Sequence, residues 1–176
     1  MKNISKKSNI TRQSILTVFF NEIKQKRVEK ITISHLAQVT NLNRSTIYQY
    51  FLDTYDILEQ LEDDTIFAIQ NKLLSTLQSK EYQDIEQFLP VVEEFTERIY
   101  YLSQTSQGHN FKLKLLVTLE PFFIQLHQLQ IQDNNINFQL YIVQHAIFNA
   151  INYWYEHPEK DLLDYLKQLQ QLILIQ

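Results

Sequence analysis

The 176-residue sequence contains no cysteine, only one glycine and only three prolines. The absence of cysteine excludes disulfides, thiolate zinc sites and thiol nucleophiles from this chain. The scarcity of glycine and proline argues against a β-rich fold, because such folds need many tight turns and these residues form most of them. No apolar run approaches the roughly 18 residues that a membrane helix requires. The basic N-terminus also lacks the apolar segment of a signal peptide, so we expect a cytoplasmic protein that does not contact a membrane.

Catalytic and phosphate-binding motifs are missing as well. The histidines are His35, His109, His127, His145 and His157. Their spacing matches no zinc-binding HxxxH or HExxH pattern, and the chain has neither a glycine-rich phosphate loop nor a G-x-S-x-G motif. We therefore predict that the protein is not an enzyme and that it needs no cofactor and no metal.

What the sequence does contain is a large supply of apolar residues in helical patterns. Hydrophobic residues make up 44% of the chain and charged residues 20%, which suits a globular protein with a sizeable core. Apolar residues recur at helical spacing and predict an all-α fold of about nine helices. The predicted helices cover about residues 9–26, two short segments within 32–51, then 54–78, 84–103, 109–119, 120–131, 136–156 and 160–175. The first eight residues are expected to form a frayed basic arm.

The stretch from Thr32 to Phe51, TISHLAQVTNLNRSTIYQYF, has the pattern of a helix-turn-helix. Thr32 can cap the first short helix with its hydroxyl. Asn41 stands where the turn needs a residue that tolerates a positive φ. Asn43 can cap the second helix, and Ile47 and Phe51 give that helix a buried edge. An apolar stripe in the preceding helix, from Ile15 to Ile23, is expected to complete a three-helix head.

The exposed positions of the second short helix carry hydrogen-bonding side chains and no acidic residue. They are Arg44, Ser45, Thr46, Tyr48, Gln49 and Tyr50. Arg and Gln can pair with base edges, whereas Ser, Thr and Tyr can bind phosphate oxygens. An ordinary polar surface helix is the alternative, but such a helix would usually include Asp or Glu. With Thr32, Ser34 and Asn43 at the adjoining helix starts, these residues form the predicted DNA-binding set.

Charge is distributed unevenly along the chain, although the net charge is only −4. Residues 1–58 contain nine basic and four acidic residues, a net charge of +5. Residues 59–176 contain seven basic and sixteen acidic residues, a net charge of −9. A basic segment that carries a helix-turn-helix is the electrostatic pattern expected of a DNA-binding domain.

A long helix follows the predicted DNA-binding segment. Asp53 is placed to cap it, and Asp56 stands at the capping-box position three residues later. Its apolar positions extend to about Gln78, which gives a length on the order of 37 Å. We therefore predict a DNA-binding domain over residues 1–53 and a second domain over residues 54–176, for which the family resemblance described next implies ligand binding and dimerisation.

The segment from Thr11 to Leu58 resembles the DNA-binding domain of the TetR/AcrR family of bacterial transcriptional regulators. The resemblance is carried by the Ile15 to Ile23 stripe and by the segments ITISHLAQVT, NLNRSTIYQYF and DTYDIL. It covers about the first third of the chain. It implies a dimeric regulator, most often a repressor, that binds a palindromic operator and is released by a small-molecule effector. Two positions depart from the family pattern. Asn41 replaces the usual turn glycine, and Thr54 replaces a lysine that typically grips a phosphate, so Thr54 joins the predicted DNA-binding set.

The last two predicted helices are too apolar for a small bundle to cover. In the penultimate helix the polar residues form one narrow stripe: Asn137, Gln144, His145, Asn149, Asn152 and Glu156. A helix that is apolar elsewhere must be buried on more than one side, and a second subunit could provide the cover. The resembling family pairs its last two helices in a dimer. The predicted interface residues are Ile147, Phe148, Ile151, Trp154, Tyr155, Leu162, Leu166, Leu169 and Ile173. A twofold dimer would place two recognition helices about one DNA turn apart, which predicts a palindromic operator.

The middle helices are rich in aromatic residues, and the resemblance implies an effector pocket among them. The predicted pocket residues are Phe67, Phe95, Tyr101, Phe111, Phe123, His127, Phe138, Tyr141 and His145. An ordinary aromatic core without a ligand is the alternative. A second function also stays open, namely a protein-interaction coactivator or adaptor on the same fold with weak DNA binding. The loss of the lysine at Thr54 and the acidic overall balance favour that alternative.

Overall fold

A computed structural model of the chain describes residues 2–78, 88–126 and 136–173, and these residues are helical apart from short connections. The elements are α1 (Lys2–Ile23), a 3-10 turn (Val28–Lys30), α2 (Ile33–Thr40), α3 (Arg44–Tyr48), α4 (Thr54–Gln78), α5 (Leu89–Ser103), α6 (Gly108–Leu126), α7 (Ile136–Glu156) and α8 (Leu162–Ile173). The prediction of an all-α fold is confirmed. The described part of the chain forms eight α-helices, one fewer than predicted.

The difference of one helix arises in α6, where Pro121 does not interrupt the helix. The sequence predicted separate helices over about residues 109–119 and 120–131, whereas α6 runs through Pro121 without a break. A proline inside a helix removes the hydrogen bond to the carbonyl four residues earlier. That carbonyl belongs to Val117, a residue whose surface is 68% exposed, so water can take over the lost bond.

The first helix also differs from the prediction at both ends. It begins at Lys2 rather than near residue 9, and it ends at Ile23 rather than near residue 26. The first eight residues contain neither glycine nor proline, so nothing in them stops the helix from extending towards the N-terminus. At the other end, the backbone N–H groups of Gln25 and Lys26 both donate to the carbonyl of Glu22 and close a turn.

The chain divides into two compact units. The first comprises residues 1–64 together with 104–107, and the second comprises residues 65–103 together with 108–176. The division between residues 64 and 65 lies inside α4, which therefore contributes residues to both units. The predicted domain boundary at residues 53 and 54 coincides instead with the start of this helix.

The first unit has a fully enclosed apolar core. Ile15 and Phe19 of α1, Leu36 of α2, Ile47 of α3 and Ile57 of α4 each have no exposed surface. These positions are the apolar edges that define the helix-turn-helix pattern in the sequence. Burial of one such side chain contributes roughly 1.5–3 kcal/mol, so the core fixes which faces of α2 and α3 remain outside.

The second unit is built around α7, which packs against α5, α6 and α8. Ile151 of α7 and Leu162 and Leu166 of α8 form a buried cluster. At the start of α6, Gly108 lies so close to α5 that a Cβ atom there would be 2.0 Å from the backbone oxygen of Ser103. The single glycine of the chain is therefore required by a close approach of backbones and not by a positive φ.

Candidate functional site

The turn between α2 and α3 has the geometry that the sequence predicts. The Oγ1 of Thr32 accepts a hydrogen bond from the backbone N–H of His35 at 3.1 Å and caps α2. Asn41 adopts φ 54° and ψ 38°, in the left-handed region. The N–H of Leu42 donates to the carbonyl of Ala37 at 3.0 Å, the six-to-one bond of a Schellman motif. Both the capping prediction and the positive-φ prediction are confirmed.

The start of α3 differs from the prediction. Asn43 occupies the N-cap position, and its carbonyl accepts a hydrogen bond from the N–H of Thr46 at 2.9 Å. Its side chain makes no capping bond, so the predicted role of the Asn43 amide as a cap is wrong. Since α3 spans only five residues, the main-chain bonds of its first turn suffice to hold it. The Asn43 side chain is left exposed at the surface of the first unit.

The predicted DNA-binding residues form two groups by exposure. Exposed residues are Thr32, Asn43, Arg44, Ser45, Tyr48 and Gln49. Half-buried residues are Ser34, Thr46, Tyr50 and Thr54. Ile47, in the middle of α3, is fully buried, so the helix turns one edge inwards and its polar residues outwards. The arrangement offers hydrogen-bonding groups to a partner, and their contact with DNA stays a prediction.

A polar network fixes the C-terminal end of α3. The guanidinium of Arg12 donates from Nε and Nη2 to Oε1 of Gln60, at 3.1 and 2.9 Å. It also donates to Asp64, with 2.6 Å between Nη1 and Oδ2. The Nε2 of Gln60 donates in turn to the carbonyl of Tyr50 at 3.4 Å, and the Arg12 guanidinium lies 5.9 Å from the centre of the Phe51 ring. The network therefore ties α1 and α4 to the residues that follow α3.

The start of α4 is anchored by the two predicted aspartates. Oδ1 of Asp53 accepts hydrogen bonds from the N–H groups of Tyr55 and Asp56, at 2.8 and 2.9 Å. Oδ2 of Asp56 accepts from the N–H of Leu52 at 2.7 Å, and its Oδ1 accepts from Nε2 of Gln60 at 3.0 Å. The predicted capping roles of Asp53 and Asp56 are confirmed. Arg12 and Gln60, by contrast, were not found from the sequence, because nothing local marks a contact between residues 48 positions apart.

Several cationic side chains of the first unit interact with groups of the same chain. The Glu22 carboxylate accepts hydrogen bonds from the Lys26 ammonium and from Nε2 of His35, the latter at 2.8 Å. The hydrogen bond from Lys26, followed by that from His35, lowers the pKa of Glu22 below its ordinary value. The Lys24 ammonium lies 4.8 Å from the centre of the Phe20 ring. Arg44 on α3 is exposed, in contrast to the buried side of that helix.

The second unit contains a partly open, apolar cavity of about 110 Å³. Its described walls come from α4 to α8 and from the residue before α5. They are Ile69, Leu73, Phe88, Leu89, Val91, Val92, Phe95, Ile99, Leu115, Leu116, Leu119, Phe122, Gln144, Ile147, Phe148, Ile151 and Leu166. The amide of Gln144 is the one polar side chain among these described walls. Such a cavity suits a small, largely apolar ligand.

The residues predicted for the effector pocket occupy several different environments. Phe95 lines the cavity, whereas Phe111 is fully buried elsewhere in the unit. Tyr101 and His145 are half-buried and lie outside the cavity wall. Phe67, Phe138 and Tyr141 are 64%, 68% and 56% exposed. The side chain of Phe123 and all of His127 lie outside the described residues.

Gln144 is the residue from which the sequence could have indicated the position of the cavity. The sequence pattern placed this residue in one polar stripe with His145 and Asn149, but the structure separates them. Gln144 is 6% exposed and faces the cavity, whereas Asn149 is exposed to solvent. Successive helix positions are turned by about 100°, so neighbouring residues 144 and 145 cannot share a narrow stripe.

The residues predicted for the dimer interface are largely internal to one chain. Phe148, Ile151, Leu162 and Leu166 are buried, and Ile147, Trp154 and Tyr155 are half-buried. The side chains of Leu169 and Ile173 lie outside the described residues. The indole Nε1 of Trp154 donates to the carbonyl of Lys160 at 3.0 Å and closes the connection between α7 and α8. Ile151, Leu162 and Leu166 pack α8 onto α7, and Ile147 and Trp154 contact this cluster. Contact of this set with a second subunit stays a prediction.

The described residues contain neither a membrane-spanning helix nor a cluster of metal ligands. No helix in residues 2–78, 88–126 or 136–173 combines the length and apolar character needed to cross a membrane. Over the same residues, no group of three or more His, Asp or Glu side chains is arranged to hold a metal ion.

Comparison with known proteins gives a likeness in structure only. No protein-family model matches the chain, and no curated protein matches its sequence. A TetR transcriptional regulator from Streptococcus agalactiae 2603V is similar, with a TM-score of 0.71, 17% identity and 96% of each chain covered. The fatty acid degradation regulator FadR from Bacillus halodurans has a TM-score of 0.66 and 16% identity, over 94% of this chain and 95% of its own. The chain therefore has the fold of these TetR-type transcriptional regulators over nearly its whole length.

Proposed function

We propose that this protein is a homodimeric, sequence-selective DNA-binding regulator of the TetR type that represses transcription and is released by a small-molecule effector. The observation that carries the proposal is the orientation of α3. Its buried edge is Ile47, and its exposed side presents Arg44, Tyr48 and Gln49 without a carboxylate. A short helix held in this way by a helix-turn-helix can enter the major groove, where such side chains reach base edges.

The surrounding residues supply the contacts expected for phosphates. Thr32 and Ser34 lie at the start of α2, where unpaired backbone N–H groups and the helix dipole favour an anion. Ser45 and Asn43 are exposed at the start of α3 and can donate to a neighbouring phosphate. Thr54, half-buried at the start of α4, offers a hydroxyl where the resembling family has a lysine, which supports a modest affinity for the phosphate backbone.

Exposed apolar residues support the dimer. On α7, Phe138, Tyr141 and Ile142 are 68%, 56% and 42% exposed, and their spacing places them on one helical face. An exposed apolar face of this kind is typical of an interaction surface. We propose that a second copy covers this face of α7, because Leu162 and Leu166 of α8 already pack against α7 within one chain. A twofold dimer would bind a palindromic operator.

The cavity supports effector control. Ile69 and Leu73 of α4 line it, and the same helix begins at the cap formed by Asp53 and Asp56. One continuous helix therefore carries residues that a cavity ligand would touch and residues that hold the end of α3. A ligand that prefers one position of α4 would shift the DNA affinity by its difference in affinity for the two positions.

The test is a DNA-binding titration with the full chain and the DNA upstream of its own gene, at several salt concentrations. We expect a sequence-selective complex whose affinity falls about 100-fold in a Tyr48→Ala/Gln49→Ala variant, because each good base contact contributes about 1–3 kcal/mol. Gln168→Ala, which removes an exposed glutamine from α8, serves as the matched control and should bind as the wild type does. If Tyr48→Ala/Gln49→Ala binds the DNA as tightly as Gln168→Ala does, the proposal is contradicted.

The adaptor alternative is favoured by one observation. Arg12, Lys24 and Lys26 are engaged with groups of the same chain, which reduces the positive charge available to DNA. Under that alternative, the titration would show only weak, non-selective binding, and the few available cations would give a shallow salt dependence. A specific protein partner would co-purify with the wild type and equally with the Tyr48→Ala/Gln49→Ala variant.

A further inference from the structure

The walls of the cavity in the second unit are almost entirely apolar, which disfavours a charged ligand relative to a neutral one. Every described lining residue except Gln144 has an apolar side chain. Moving a charged group from water into such surroundings is very unfavourable unless a partner of opposite charge is present. The described walls contain no such partner. We therefore expect the part of a ligand that is buried against these described walls to be uncharged.

Gln144 adds one point of polar recognition. It is 6% exposed, and its Nε2 atom lies 3.5 Å from the carbonyl oxygen of Leu116. That separation is well beyond the usual 2.9–3.0 Å for an N–H···O bond, so the amide is weakly held. A carboxamide has two N–H donors and an oxygen that can accept two bonds. A ligand with one hydroxyl or carbonyl group could therefore gain a better hydrogen bond than the one that Leu116 offers.

The volume limits the part of the ligand that the cavity can bury. A cavity of roughly 150 Å³ lined by apolar side chains is known to hold benzene or xenon. The present cavity, about 110 Å³, suits a ligand body of similar or slightly smaller size. We propose that the cavity binds a small neutral molecule with a hydrocarbon body and a single hydroxyl or carbonyl head, and that the head bonds to the Gln144 amide. This inference rests on the proposed function, because it names the class of the effector.

Lys112 provides the sharpest rival interpretation. Its Nζ atom lies 4.6 Å from the centre of the Phe148 ring, and Phe148 lines the cavity. A carboxylate ligand could be drawn towards this ammonium. Lys112 itself is not part of the described cavity wall, however, and burial lowers its pKa below the ordinary value. The neutral class and the anionic class therefore make opposite predictions for substitutions of Gln144 and Lys112.

The test is calorimetric titration of the full chain, without DNA, against three matched series of probes. These are n-alkanols from butanol to octanol, the corresponding n-alkyl carboxylates and the corresponding n-alkylamines. We expect the alkanols to bind with affinity that rises about fourfold per methylene until the cavity is full, as a transfer free energy of about 0.8 kcal/mol per methylene implies. The carboxylates and amines should bind at least tenfold more weakly. Carboxylates or amines that bind as tightly as the alkanols would overturn the proposal.

Two substitutions assign the head group. Gln144→Leu removes the amide while keeping a similar volume, and we expect it to weaken alkanol binding about tenfold while benzene binding is unchanged. Gln144→Met serves the same purpose if the leucine variant does not fold. Lys112→Met is the control and should leave alkanol binding unchanged. Alkanol binding that survives the loss of the amide, or that depends on Lys112 alone, would overturn the assignment.

A final measurement separates this inference from the proposed function. The DNA titration is repeated with and without a saturating concentration of the tightest alkanol. A drop in DNA affinity supports both the ligand class and the effector role. Alkanol binding that follows the expected series but leaves DNA affinity unchanged supports the ligand class and overturns effector control. Absence of binding in all three probe series overturns the ligand class, whatever the DNA titration shows.

Discussion

The two compact units hold their helices in different ways. In the first unit, directional polar contacts position the ends of helices: Thr32 caps α2, Asp53 caps α4, and Arg12 links α1 to α4. In the second unit, the described helices meet mainly through apolar side chains, and a cavity remains among them. Directional bonds fix a surface geometry closely, whereas apolar packing tolerates alternative arrangements if volume is conserved. The contrast suits a rigid surface in one unit and a site for a ligand in the other.

The largest expected effect tests the close packing of the second unit. Gly108→Ala would place a Cβ atom 2.0 Å from the Ser103 carbonyl oxygen, and both groups belong to backbones that cannot rotate away. We expect the free energy of unfolding to fall by at least about 3 kcal/mol. Urea denaturation measures it, and Asn110→Ala, an exposed change in the same first turn of α6, is the control. Wild-type stability of the Gly108→Ala variant would show that this approach of α5 and α6 is not tight.

The next effect tests the polar network of the first unit. Arg12→Ala removes donors from Gln60 and Asp64, and we expect a loss of about 2 kcal/mol in the free energy of unfolding. Arg12→Lys should recover only part of this loss, because an ammonium cannot reproduce the bidentate geometry. Arg44→Ala removes an exposed arginine of the same unit and should change stability by less than about 0.5 kcal/mol. If Arg12→Ala and Arg44→Ala are equally stable, the polar network does not stabilise the first unit, and the contrast with the apolar packing of the second unit is lost.

These two sites also show what could be predicted from the sequence. Thr32, Asn41 and Asp53 act on atoms within a few residues, so their roles follow from local residue chemistry. Arg12 acts on Gln60 and on Asp64, and sequence spacing contains no sign of that distant pairing. The same distinction explains why the sequence predicts the helix-turn-helix and its turn geometry. It does not predict the polar network of Arg12, Gln60 and Asp64 that supports them.

A smaller effect tests the turn between α2 and α3. Asn41 has φ 54°, a conformation that costs an ordinary L-residue roughly 1 kcal/mol or more. We expect Asn41→Ala to lower the free energy of unfolding by about 1 kcal/mol, and Asn41→Gly to leave it unchanged or slightly higher. Thermal and urea unfolding of the three proteins measure the difference. A glycine variant that is less stable than the alanine variant would contradict the role assigned to the left-handed conformation.

The smallest effect concerns pH and the contact between α1 and α2. Lys26 and His35 hydrogen-bond to Glu22 and lower its pKa in the folded protein. Because the folded pKa lies below the unfolded value of about 4.5, the stabilisation is fully present above that pH. It is lost as the pH falls through the folded pKa. The stability difference between the wild type and Glu22→Gln should therefore shrink on acidification from pH 7 to pH 3. Glu93→Gln, at an exposed site on α5, provides the comparison.

The second unit was harder to predict because its site depends on packing. The count of aromatic residues pointed to Phe67, Phe138 and Tyr141, but these rings are exposed. The cavity is lined mainly by aliphatic residues, which look in the sequence like any other core positions. Likewise, several apolar residues of the last two helices pack α8 onto α7, and their predicted contact with a second subunit stays a prediction. Apolar composition shows that a residue tends to be buried, but it does not show which element the residue packs against.

Trp154 has a practical consequence for the second unit. It is the only tryptophan of the chain, and its indole bonds to the Lys160 carbonyl while its ring packs against the Ile151, Leu162 and Leu166 cluster. Ile151 and Leu166 also line the cavity. The tryptophan fluorescence of the protein therefore arises from a single side chain beside the cavity wall. We therefore expect occupation of the cavity to change the tryptophan emission, so that a ligand titration needs no label.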